Sequence, residues 1–184
     1  MSIPREEAAN ALHDIEHTQR SSAGAYRDQR FSPHLFLWGA IWIVGYAVTY
    51  FRPSASLIWA PLVVLGMIGS FWLGSRDAGG RSGAYSGWHF AATALALFLF
   101  IAAWLAIVPP KSGAQIGALI PILVALIYTV AGVWTRGARI VLLGVALGAL
   151  TVGGYFWLPQ YFLLWMAGVG GGALIAGGFW LRTV

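Results

Sequence analysis

The sequence predicts an all-α polytopic membrane protein with six transmembrane helices, both termini cytoplasmic, and a short amphipathic helix ahead of the first span. Three observations lead there: the composition, the spacing of the charged residues, and the side on which the basic ones fall. Of 184 residues, 59% are hydrophobic and only 9% are charged, against about 25% charged in soluble domains. A soluble globule of this length has too little interior to hide that much apolar side chain, so a soluble enzyme is excluded. Disorder, which requires low hydrophobicity and high charge, is excluded as well. A β-barrel would alternate in segments of about ten residues, and these runs do not alternate.

A helix needs about 20 apolar residues to cross the hydrocarbon core. Arg30 to Arg52 leaves 21 uncharged residues, Arg52 to Arg76 leaves 23, and Arg81 to Lys111 leaves 29. Lys111 to Arg136 leaves 24 and Arg139 to Arg182 leaves 42, the last gap being divided by Leu158-Pro159-Gln160. Proline ends a helix by removing a donor and clashing with the preceding turn. Five gaps therefore predict six spans, near 34–51, 55–74, 89–108, 115–134, 139–157 and 161–181, in a domain of residues 34–184.

The Lys/Arg distribution orients them. Arg5, Arg20, Arg27, Arg30, Arg76, Arg81, Arg136, Arg139 and Arg182 fall on one side, and only Arg52 and Lys111 on the other. Basic residues near span ends stay cytoplasmic, which predicts a bacterial-type inner membrane with both termini inside. The aromatics agree: Trp72, Trp88, Trp134 and Trp180 stand at the inner ends, and Tyr50, Trp59, Trp157 and Tyr161 at the outer ends, where amphipathic rings favour the headgroup level. The first 30 residues are polar, so the first span is expected to act as an uncleaved signal-anchor. With no cysteine there is no disulfide, thiolate metal site or cysteine nucleophile. The basic residues are spread over several loops, which argues against a nucleic-acid partner.

Ahead of the spans, residues 1–33 read as a cytoplasmic amphipathic helix followed by a basic linker. In 4–20, Pro4 suits the first helical position and Glu6 and Glu7 the positive helix end. Ala8, Ala11, Leu12 and Ile15 follow helical spacing and form a narrow apolar face. Ala8, Leu12 and Ile15 are the expected contacts for a cytoplasmic protein partner. Arg20, Arg27 and Arg30, in the linker closed by Pro33, are expected to hold lipid headgroups.

Inside the spans, Gly144/Gly148 and Gly168/Gly172 are small-residue pairs four apart, a spacing that lets helix backbones approach. They are the expected helix-packing positions, and the sixth helix is a candidate homo-oligomer face. A three-hairpin pattern runs along the chain, with proline at each outer turn and tryptophan followed by arginine at each inner end. Any membrane hairpin calls for the same marks, so duplication is not required.

Chemistry is sparsely represented. His13-Asp14-Ile15-Glu16-His17 matches the H-x-x-E-H pattern of inverted zinc proteases. It lacks a third ligand and an enclosing domain, so no metal or other cofactor is expected. Apart from Arg139 at the first position of the fifth, no Asp, Glu, Lys or Arg lies inside a predicted span, whereas ion-coupled transporters keep ionisable groups at membrane depth. A catalytic role is therefore not expected. A polar cluster towards the outer side remains: Tyr46, Thr49, Gln115, Thr151 and Tyr155, flanked by Arg52 and Lys111, can orient a small neutral or anionic ligand. Two functions follow. The first is a non-enzymatic accessory or regulatory partner acting through its cytoplasmic segments. The alternative is a small-molecule permease or the substrate-binding subunit of a transporter; in size and span count alone the chain resembles the six-span subunits of vitamin transporters.

Overall fold

The computed structural model describes residues 29–77, 96 and 99–183. The described residues are helical with short turns, and no strand occurs among them. Helix α1 covers Gln29–Phe51. Helix α2 begins as a 3-10 turn at Pro53–Ile58 and continues as α-helix over Trp59–Asp77. Ala96 and residues 99–107 form the described part of α3. Then follow α4, Gly113–Trp134, and α5, Ala138–Trp157. The last helix, α6, spans Phe162–Arg182.

Five of these (α1, α2, α4, α5 and α6) are long and apolar enough to cross a membrane. The predicted third span, 89–108, falls partly outside the described residues, and the predicted helix 4–20 and the loop 75–88 beyond Asp77 lie wholly outside them.

The sequence explains most helix boundaries. Arg52-Pro53 turns the chain between α1 and α2, with Pro53 in the first 3-10 turn, where its missing N–H costs nothing. Ser112 caps α4, its hydroxyl accepting from the Gln115 N–H at 3.2 Å. Between α4 and α5 the chain reverses in three residues. Gly137 N–H donates to Gly132 O at 2.7 Å and Arg136 N–H to Val133 O at 3.2 Å, the paired bonds of a Schellman motif. That motif needs a left-handed residue, and Arg136 supplies it with φ 54°. Leu158, Pro159 and Gln160 make the turn into α6, at the position the sequence predicts.

One boundary differs. The sequence closes the linker at Pro33 and starts the span at 34, yet α1 is already helical from Gln29. The carbonyl that Pro33 leaves unbonded and crowds with its ring is that of Gln29, the first residue of the helix, so only the opening turn of α1 is affected and the helix runs on through it.

The core lies between α1, α4, α5 and α6, around Leu35, Trp42, Ala125, Leu147, Phe162 and Met166. Helix α6 is the most central, with 44% of its apolar window buried, and α2 the most peripheral, with 6%. Large hydrophobics such as Leu65, Leu126, Val145 and Phe179 point outward on every helix face away from that core. In water such a surface would drive association. In lipid it is the solvated face, and packing rests on close contact and interhelical hydrogen bonds instead.

Close contact centres on glycines. A methyl group at Gly39 would stand 3.0 Å from Gly171 O, and one at Gly171 would stand 3.0 Å from Gly39 O. The α1–α6 crossing therefore needs both residues to lack a side chain. Within α6, Met166–Gly170 is a π-turn, which inserts a residue and rotates the following face by about 100°.

Candidate functional site

The polar cluster expected from the sequence is assembled mainly by α1. Tyr46 is buried, and its hydroxyl donates to Gly117 O of α4 at 2.7 Å. That carbonyl is special, because residue 121, whose N–H would serve it within the helix, is proline. Pro121 is itself buried, and α4 continues through it unbroken. The acceptor orphaned by the proline thus receives a donor from a neighbouring helix, the route by which proline is tolerated in membrane helices.

Around Tyr46 the contacts are aromatic. Trp42 and Trp59 meet it edge-on, with centroids 5.9 and 4.8 Å away, a geometry the ring quadrupoles favour. Trp59 Nε1 donates to Thr49 Oγ1 at 3.0 Å, and Thr49 in turn donates to Gly45 O at 2.7 Å. This chain ties α2 to α1 at the end where they join around Arg52. Trp38 Nε1, donating to Ser70 Oγ at 3.1 Å, ties them again nearer the other end.

The remaining members make other contacts. Thr151 is fully buried in α5 and donates to Leu147 O of its own helix at 2.8 Å. Tyr155 packs edge-on against Phe162 at 5.8 Å. Gln115 is exposed at the start of α4, its Oε1 accepting from the Lys111 N–H at 2.6 Å. Arg52 and Lys111 are exposed. The structure therefore joins Tyr46 and Thr49 through Trp59, and Gln115 with Lys111. The hydroxyls of Tyr46, Thr49 and Thr151 all donate inside the bundle, where they hold helices together or bond back to their own turn.

The predicted packing glycines divide in the same way. Gly144 sits against α4, where an added methyl would meet Thr129 N at 2.6 Å and Ala125 O at 2.7 Å. Gly148 faces the Ala125 methyl at an ordinary 3.6 Å. Gly168 and Gly172 have nothing within 4 Å of the Cβ position among the described residues. In α6 the inward positions are Gly170, Gly171, Gly177 and Gly178. Ala8, Leu12, Ile15, Arg20, Arg27 and the His13–His17 motif lie outside the described residues.

The opposite end of the bundle carries the charge. The starts of α1 and α5 and the end of α6 lie together there. Ser32 Oγ donates to Gly178 O at 2.7 Å, and Arg182 Nε donates to Ser32 Oγ at 2.8 Å. Arg182 also covers the Phe36 ring at 4.7 Å, and Arg139 stands over Trp180 at 5.6 Å. Arg30 opens α1, and Arg136 lies in the α4–α5 turn at the same end. The other end holds Arg52 and Lys111.

Sequence reasoning missed Ser32, Pro121 as a partner of Tyr46, and the Gly39–Gly171 crossing. Pro121 did carry a usable signal, since a proline inside a membrane helix implies a freed carbonyl four residues earlier.

Fold and surface together define an all-helical membrane protein with several helices able to span the bilayer. Comparison with protein-family models, with curated proteins and with solved structures finds no match for the chain.

Proposed function

We propose that this is a non-enzymatic multi-pass protein of a bacterial-type inner membrane, with six spans and cytoplasmic termini, that acts as an accessory or regulatory partner through its cytoplasmic segments. The observation that carries this reading is the one-ended distribution of charge. Arg30, Arg136, Arg139 and Arg182 gather at one end of an otherwise apolar body, against Arg52 and Lys111 at the other. Positive residues are retained on the cytoplasmic side, which orients that end inward. The segments 1–33 and 75–88 emerge from it and hold all six acidic residues of the chain. A partner recognising charged and polar sequence therefore meets this end first.

The alternative, a solute-binding transport subunit working through the outer cluster, draws less support. Its buried hydroxyls already donate within the bundle.

Photo-crosslinking in the native host tests the proposal. A crosslinker at Leu12 or Ile15 should trap one recurring protein, and one at Gln160 should not. If deletion of residues 1–20 leaves every co-purifying protein in place, the mechanism is wrong. Uptake of one solute that falls on exchanging Arg52 would instead favour the transport reading.

A further inference from the structure

The end of the bundle at which α1 begins carries positive charge and little within the bundle to offset it. Arg30, Arg136, Arg139 and Arg182 gather there, while after Asp28 the only acidic residue of the chain is Asp77. Arg136 and Arg182 are exposed. Arg182 donates from Nε to Ser32 Oγ at 2.8 Å and lies over the Phe36 ring, which sets it within two turns of the start of α1. Arg136 stands in the short turn that leads into α5. Arg139 is half-buried over Trp180, with Nη1 closed off and without a hydrogen-bond partner among the described residues. It adds charge to this end and no open donor.

Residues 1–28, which lie outside the described residues, are the stretch of opposite sign. They hold five carboxylates (Glu6, Glu7, Asp14, Glu16 and Asp28) against three arginines. The other polar stretch, 75–88, sets Asp77 against Arg76 and Arg81 and is net positive. On the helical spacing of 4–20, Glu7 and Asp14 fall two turns apart on one flank that no arginine shares, and Ala8, Leu12 and Ile15 face another way.

The position of the segment favours it over a free anion. It joins α1 at Gln29, at the same end as the arginines. The eight residues 21–28 reach at most about 29 Å, enough to pass two helices of about 10 Å each. A tether of that length holds the segment at about millimolar effective concentration.

We propose that the N-terminal segment folds back onto its own bundle, with the Glu7–Asp14 flank against Arg136 and Arg182. Exposed ion pairs are individually weak, so the contact draws on several charges and on the tether together. It leaves Ala8, Leu12 and Ile15 uncovered for the partner contact proposed above and does not rest on that contact, since it forms within a single chain.

The chain has no cysteine, so Asn10→Cys with Thr183→Cys places two spin labels cleanly. The full-length protein is measured by double electron–electron resonance in phosphatidylcholine nanodiscs, which hold no anionic lipid and no partner. One narrow, short distance is expected. It should be lost in Glu7→Gln/Asp14→Asn, a variant that leaves the bundle untouched, and in about 1 M salt, where the screening length falls to about 3 Å. Arg136→Gln should broaden it. A broad distribution in the starting protein would overturn the proposal, as would a narrow one that survives loss of both carboxylates. A short distance that appears only when phosphatidylglycerol is added would overturn it in favour of lipid. One that vanishes on dilution with unlabelled protein would overturn it in favour of docking between two copies.

Discussion

Replacing Tyr46 with phenylalanine deletes one hydroxyl and leaves the ring between Trp42 and Trp59, so packing is preserved while Gly117 O loses its donor at 2.7 Å. With Pro121 in place no helical N–H can take over. An unsatisfied buried acceptor costs about 1–3 kcal/mol, while interhelical hydrogen bonds in membranes average about 0.6 and reach about 1.7 kcal/mol. A loss of about 1–1.5 kcal/mol is therefore expected, near the upper part of the membrane range, because this carbonyl has no alternative partner. The same exchange in a Pro121→Ala background should cost less than half as much, since alanine at that position brings the N–H that the helix lacked. The coupling between the two sites should thus be about 0.5–1 kcal/mol, beyond the scatter expected of independent sites. The assay is a double-mutant cycle, with the stability of all four proteins measured by steric trapping in bicelles. An equal cost for Tyr46→Phe in both backgrounds would refute the idea that the hydroxyl serves the proline-freed carbonyl.

Two glycines one turn apart on α5 should respond with opposite sign. Gly144→Ala forces backbone contacts of 2.6 and 2.7 Å apart and should destabilise by about 1–3 kcal/mol. Gly148→Ala meets only a methyl at 3.6 Å and should be neutral or gain up to about 1 kcal/mol from helix propensity. Thermal unfolding of the pair in one detergent decides it. Ser32→Ala removes both the bond to Gly178 O and the acceptor for Arg182, with an expected cost of about 1–2 kcal/mol. Its effect should fall when Arg182 is already replaced by glutamine. At Gly168 and Gly172 nothing among the described residues opposes an added methyl, so alanine at either position should not lower monomer stability. A fall in Tm at both positions would show that this face is in contact with something.

The class of the protein was legible from the chain because it depends on totals and spacing. Long uncharged stretches such as 53–75 and 112–135 can only be accommodated in lipid, and they became α2 and α4. Turn positions were legible for a local reason as well: Arg52-Pro53 and Leu158-Pro159 fall where two long apolar runs meet, and the helices end there. The start of α1 was not, because the cost of Pro33 depends on how much helix precedes it. Neither were the hydrogen-bond partners of the polar residues. Tyr46, Thr49 and Thr151 read as ligand groups because each is a hydroxyl in an apolar span, but what a hydroxyl bonds to is decided by the neighbouring helix or by its own preceding turn. The close approaches were hidden too. Gly168 and Gly172 share a spacing with Gly144 and Gly148, yet which face of α6 turns inward follows from the π-turn at Met166–Gly170 and from the helix it meets. The sequence by itself determined that the chain belongs in a membrane, how much of it is apolar enough to cross, and which end carries the charge, since these follow from transfer free energies of individual residues. Only the tertiary structure decided which glycines touch, which carbonyl Tyr46 completes, and which arginine is left without an acceptor. Those are properties of pairs of helices, and pairing is not written in any one stretch of chain.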